Sequence, residues 1–137
     1  MSAKSRPVTI ASAVALTGTI AVVGDPGTFD TRNNDRASLM VTWSKHADET
    51  LLTVEVQGTL DGTTWASVPV VVDASATITS GVAVAALGEL RYTRTVTGAF
   101  HLPVELHGVR YLRLRALSAT GGSRGTITAV AVGEVWS

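Results

Sequence analysis

Between Leu51 and Leu60 apolar and polar side chains alternate: Leu52, Val54, Val56 and Leu60 share one parity, and Thr53, Glu55, Gln57 and Thr59 the other. A period of two places successive side chains on opposite faces of an extended chain, so the window predicts a half-buried antiparallel strand. Asp61-Gly62 follows as a two-residue hairpin signal, because such turns need positive φ. The return strand is expected over Thr63–Val72. The same alternation recurs in Arg110–Leu117, with Leu112, Leu114 and Ala116 opposed to Tyr111, Arg113 and Arg115. It recurs again where Leu39, Val41 and Trp43 interleave with Met40, Thr42 and Ser44. Further strands are predicted over Val14–Gly24, Thr77–Leu87, Leu90–Thr97 and Gly125–Trp136. Gly24-Asp25-Pro26-Gly27 and "SATGGSRG" read as turns, and Thr28–Arg36 as a loop. About eight or nine strands at regular spacing, with no helical period, predict an all-β antiparallel sandwich or barrel with little or no helix. Residues 1–13 read as an extended N-terminal arm, and 14–137 as a single β domain.

Composition agrees with strands: Val and Thr are the two commonest residues, and there are 13 glycines among 137 positions. β-branched side chains pack well on a pleated sheet and glycine serves its turns. Charged residues are only 16%, with 11 basic side chains against 11 acidic ones. No net field draws the chain to nucleic acid or to an anionic membrane, so neither is expected as a partner. The absence of cysteine excludes disulfides, thiolate metal sites and a cysteine nucleophile. Lys4 and Arg6 precede a mild apolar run, but Thr9, Ser12, Thr17, Gly18 and Thr19 interrupt it, so neither a secretion signal nor a membrane span is expected. The last strand is apolar on both parities, with Val130 and Val132 opposed to Ile127, Ala129 and Ala131, and "SGVAVAALG" (80–88) is similar. Apolar surface of that kind calls for a partner, and a homo-oligomer is expected.

Few residues carry candidate chemistry. His101, Glu105 and His107 would share a face of an extended chain, the geometry of a small metal site. Pro103 disturbs that segment, so a solvated connecting loop is the expectation, and His46 stands alone. The stretch from Asp30 to Asp35 is rich in oxygen ligands but lacks the spacing of a calcium loop. No serine sits in a nucleophile-elbow context, and a carboxylate pair for glycoside cleavage can be drawn only by free choice. No enzyme, no cofactor and no metal are therefore expected. The three tryptophans are the remaining candidates. Trp43 shares parity with Leu39 and Val41, and Trp136 with Val130 and Val132. Trp65, just past the hairpin, is expected to close the end of the core, with Leu52, Val54, Val56, Leu60, Leu112 and Leu114 buried beneath it. Core or interface anchors are expected here rather than sugar platforms.

The stretches "VEVQGTLDGTTWASVPV" (54–70) and "VRYLRLRAL" (109–117) together resemble a pattern found in discoidin-type jelly rolls and in many small phage virion proteins: a strand ending in a DG-Trp hairpin, then an aromatic-Leu-Arg-Leu strand. "FDTRNNDRASLMVTW" (29–43) and "GTITAVAVGEVW" (125–136) resemble phage head or tail structural proteins more than discoidin lectins, whose ligand loops have no counterpart here. The resemblance implies a jelly-roll structural protein of a bacteriophage particle, in first place a capsid decoration (cement) protein. Its implied partner is the major capsid protein, its implied state a homotrimer, and its place the outside of the capsid after synthesis in the host cytoplasm. A carbohydrate-binding module is the alternative from another class, and a tail or connector component the alternative within the particle. In the decoration reading the arm does the gripping: Lys4 and Arg6 would pair with shell carboxylates while Val8 and Ile10 lie in an apolar groove. The competing expectation is that residues 7–13 form an edge strand of their own sandwich.

Overall fold

The computed structural model describes residues 2–4, 6–24, 27–31, 34–70, 77–80 and 90–136. These form twelve strands: β1 (Ser2–Lys4), β2 (Val8–Ala15), β3 (Ala21–Val22), β4 (Thr28–Asp30), β5 (Arg36–Ser44), β6 (Glu49–Thr59), β7 (Trp65–Ser67), β8 (Thr77–Ser80), β9 (Arg91–Arg94), β10 (Gly98–Glu105), β11 (Tyr111–Thr120) and β12 (Thr126–Trp136). In the first sheet β12 lies between β5 and the N-terminal strands β1 and β2, and β10 closes the far edge beside β5. In the second sheet β11 has β3 and β4 on one side and β6 on the other, after which come β7 and β9, then β8. Along the longer strands the order is 2-12-5-10 in one sheet and 4-11-6-9 in the other. Most consecutive strands swap sheets, and the first pairs with the last. That is the strand order of an antiparallel jelly roll.

One core fills the space between the sheets. Leu39, Val41 and Trp43 of β5 and Phe100, Leu102 and Val104 of β10 meet Leu52, Val54 and Val56 of β6 and Leu112 and Leu114 of β11. The alternation read from the sequence sets each of these directions. A fully buried side chain of this size contributes about 1.5–3 kcal/mol of transfer free energy, so a strand slipped by one residue would forfeit a whole row.

Five expectations are corrected. First, no boundary falls at residue 13: β2 crosses it, pairing with β12 from Val8↔Ala131 to Ala15↔Thr126, and β1 continues along the same edge. A bulge interrupts this pairing where Ala13, at φ 45°, donates its N–H to the Thr128 hydroxyl. Second, the Asp61-Gly62 hairpin is wider than two residues. Thr59 pairs with Trp65, and residues 60–64 form the loop. Leu60 is therefore 64% exposed rather than in the core. Third, Trp65 does not plug the core, because pairing with Thr59 turns it to the outer, polar face of the second sheet. Fourth, Pro103 lies inside the continuous strand β10, opposite Ser38. An edge strand tolerates proline where the missing N–H would have pointed away from the sheet. Fifth, Thr28–Asp30, expected as loop, is a short strand on β11. The two-sided "SGVAVAALG" segment lies outside the described residues from Gly81 onward.

Candidate functional site

The residues of the expected arm are placed by β1 and β2. Lys4 pairs with Glu134 in the register of β1 and β12. Arg6 and Val8 are exposed, whereas Ile10 is 6% exposed and belongs to the sandwich's own core. The four residues thus do not form one free gripping surface. Ile10 is committed inward, and the others lie along the outer edge of the first sheet.

The outer face of that sheet is concave. Met40 on β5, Pro103 on β10, Val130 and Val132 on β12 and Pro7 before β2 line a cleft of about 710 Å³. Arg36, His101, Glu105 and Glu134 form its polar rim. Arg36 Nε lies 3.1 Å from Glu105 Oε1, with both side chains about half exposed, a pair worth at most about 1 kcal/mol. β12 is indeed apolar on both parities: Ile127, Ala129 and Ala131 face the core, while Val130 and Val132 line the cleft. His101 and Glu105 are on this face, but the chain then turns, with His107 at φ 43°, and the strand alternation ends before His107. No group of three His, Asp or Glu side chains converges on a metal-sized site among the described residues.

The outer face of the second sheet holds a polar lattice that sequence parity placed outside the core but did not show to be buried. Glu55 is 0% exposed and 2.8 Å from the Arg115 guanidinium, and it also accepts a hydrogen bond from the Ser67 hydroxyl. Arg113 donates from Nε to Gln57 Oε1 at 2.8 Å and lies over the Trp65 ring, 4.2 Å from its centroid. Burial first, and the neighbouring Arg115 charge second, lower the Arg113 pKa from its ordinary value, with Glu55 opposing them. The pairings Glu55↔Arg115 and Gln57↔Arg113 follow from the register of β6 and β11.

At one end of this lattice the face opens into a second cleft, about 380 Å³, lined by Thr28, Asp61, Gly62, Trp65, Arg110 and Tyr111. Asp61 Oδ1 accepts the Thr63 N–H and the Thr64 N–H, both at 2.8 Å, and the Thr59 hydroxyl at 3.0 Å. These bonds, from Thr64, Thr63 and Thr59 in that order, hold the Asp61 pKa far below the usual carboxylate range, so it is ionised at any ordinary pH. Gly62, at φ 86°, lets the loop close in the left-handed region that side chains disfavour. Arg110 Cζ is 5.8 Å from the Tyr111 ring centroid. Sequence reading named Trp65 and Tyr111 separately and gave neither a site. The signal that joins them is the cross-strand row Trp65–Thr59–Tyr111, which becomes visible once β11 is paired with β6.

No known protein-family model matches the chain, and no curated protein matches it in sequence. Among solved structures it is similar to the SPBc2 prophage-derived protein YomS, with a TM-score of 0.60 at 9% identity, over 98% of this chain and 95% of that one. CorA, a surface-associated copper-binding protein of Methylomicrobium album BG8, aligns over 99% of this chain and 93% of that one at 10% identity. Its TM-score of 0.35 carries no structural argument. The similarity to YomS is one of fold, extending over both chains almost from end to end.

Proposed function

We propose that this chain is a non-enzymatic structural protein of a bacteriophage particle, acting as a capsid decoration (cement) protein that binds major capsid protein subunits from outside. The observation that carries this reading is the near end-to-end fold likeness to a prophage-derived protein. The apolar cleft on the first sheet supports it, because Met40, Pro103, Val130 and Val132 offer a non-polar docking face inside a charged rim. A decoration protein resists the pressure of packed DNA by bridging shell subunits, which requires binding surface and stiffness but no chemistry. Shell sites of this kind lie on local symmetry axes, so a homotrimer repeats one contact around the axis. The edge formed by β1 and β2 supplies the second contact: its inner side is taken by β12, and an extended strand of the shell can pair with its outer side. Lys4, Arg6 and Val8 flank that edge.

The test mixes the purified chain with expanded, empty heads lacking it, followed by sedimentation and cryo-electron microscopy. Saturable binding with three-fold density on the outer surface is the expected result. Density confined to the tail or connector would move the protein within the particle, and absence of binding to any part of it would overturn the reading.

A further inference from the structure

We infer that the cleft between Trp65 and Tyr111 is a binding site for a neutral saccharide unit, an activity separate from any grip on a capsid. The two rings stand on one face, because each is the register partner of Thr59, Trp65 across β7–β6 and Tyr111 across β6–β11. Two strand spacings put their backbones about 10 Å apart, room for one sugar ring between the side chains. Thr59 stands between them in the register, 2% exposed, with its hydroxyl committed to Asp61 and to the Gly62 N–H.

The polar groups complement a polyol. Asp61 Oδ1 accepts the Thr59 hydroxyl and the Thr63 and Thr64 N–H groups, the Thr64 hydroxyl also lies by the carboxylate, and the two carboxylate oxygens have acceptor capacity beyond these. The carboxylate is ionised and fixed by its loop, so it is a pure acceptor. The exposed Arg110 guanidinium makes no hydrogen bond or ion pair among the described residues and lies 5.8 Å from the Tyr111 ring centroid. It is a pure donor. Vicinal hydroxyls both donate and accept, and they satisfy one group of each kind, while the C–H face of the sugar packs on an aromatic ring. The charges of Asp61 and Arg110 cancel across the cleft, so neither an anionic nor a cationic ligand is favoured over a neutral one. Arg113, stacked on Trp65 and tied to Gln57, holds the indole in place before any ligand arrives.

The test uses the full chain and a panel of methyl glycosides of glucose, mannose, galactose and N-acetylglucosamine, read by saturation-transfer NMR and by tryptophan fluorescence. For a ligand of this size in an open cleft, a Kd on the order of a millimolar is expected for at least one member. Arg110→Ala changes an exposed side chain and should leave the melting curve unchanged while weakening binding about tenfold. Trp65→Ala should abolish the transfer to the sugar ring protons. Absence of saturation transfer from every glycoside in the panel would overturn the inference, and so would binding that survives both substitutions. Head binding is measured separately on the same preparations, so failure here leaves the capsid reading standing, and the reverse also holds.

Discussion

Replacing Glu49 tests how the two sheets are tied together at one end of the sandwich. Its side chain is 1% exposed, and Oε1 accepts the backbone N–H groups of His46 and Gly125, both at 2.8 Å. One carboxylate thus joins the turn between β5 and β6 to the loop between β11 and β12. Gly125 permits that approach, since a Cβ there would overlap the Ser44 carbonyl oxygen, and its own carbonyl accepts the Leu16 N–H at 3.1 Å. Burial raises the Glu49 pKa, but donors from Ser118, His46, Gly125 and Trp43 together outweigh it, and the net shift is downward. We assign most of that to the two backbone donors, because Glu49 Oε2, the Ser118 hydroxyl and the Trp43 indole N–H make no bond of ordinary geometry. A hydrogen bond to a charged group contributes about 1.5–3 kcal/mol, so Glu49→Ala loses two of them, recovers the cost of burying the carboxylate, and should destabilise by about 3 kcal/mol net. For a domain of this size that is a fall in Tm of roughly 6–12 °C. Glu49→Gln keeps an acceptor in place and should cost about 1 kcal/mol. A carboxylate whose folded pKa is depressed contributes stability that is full above its unfolded value, near 4.5, and is lost as pH falls through the folded value. The Tm gap between wild type and Glu49→Gln, followed by calorimetry, should therefore be constant near neutrality and close as pH falls below 4.5. A Glu49→Ala protein that melts within about 1 °C of wild type would refute the reasoning, as would a gap that widens in acid.

The residues explain why the core was legible in the sequence and the candidate sites much less so. Leu52, Val54 and Val56, like Leu112 and Leu114, declare their face locally, because alternation along a strand is a property of neighbours in sequence. Leu60 and Trp65 do not, since their direction depends on loop width. The hydrogen bonds of Asp61 to Thr63 and Thr64 widen the turn and reverse the parity that a two-residue hairpin would have set. Glu55 and Arg115 are correctly placed off the core by parity, yet only their pairing across 60 residues of sequence accounts for a fully buried carboxylate there. The same long-range register makes one cleft of Trp65 and Tyr111. The N-terminal strands were ambiguous for a related reason: an extended apolar segment looks alike whether it edges its own sheet or a neighbour's, and the choice was made by β12, at the other end of the chain.

Arg115→Ala should cost about 3–5 kcal/mol in chemical denaturation, because it leaves the Glu55 carboxylate buried without its cation; a loss under 1 kcal/mol would show that the pair is dispensable. Leu60→Ser should leave stability within about 0.5 kcal/mol of wild type, since the side chain is outside the core, and a larger loss would return Leu60 to it. The N-terminus gives the sharpest contrast. Removing residues 1–7 takes away β1 and should leave a folded domain, whereas removal through Ile10 also takes the start of β2 and a buried side chain. Ile10→Ala alone should cost about 2–4 kcal/mol, as large-to-small changes do in cores. Arg6→Ala and Val8→Asp change only exposed side chains, so they should fold normally and weaken head binding if the outer edge of β2 meets the shell. Normal head binding by both point variants would remove that edge from the interface. A stably folded protein lacking residues 1–10 would show instead that β2 is an arm resting on the sandwich rather than a strand built into it.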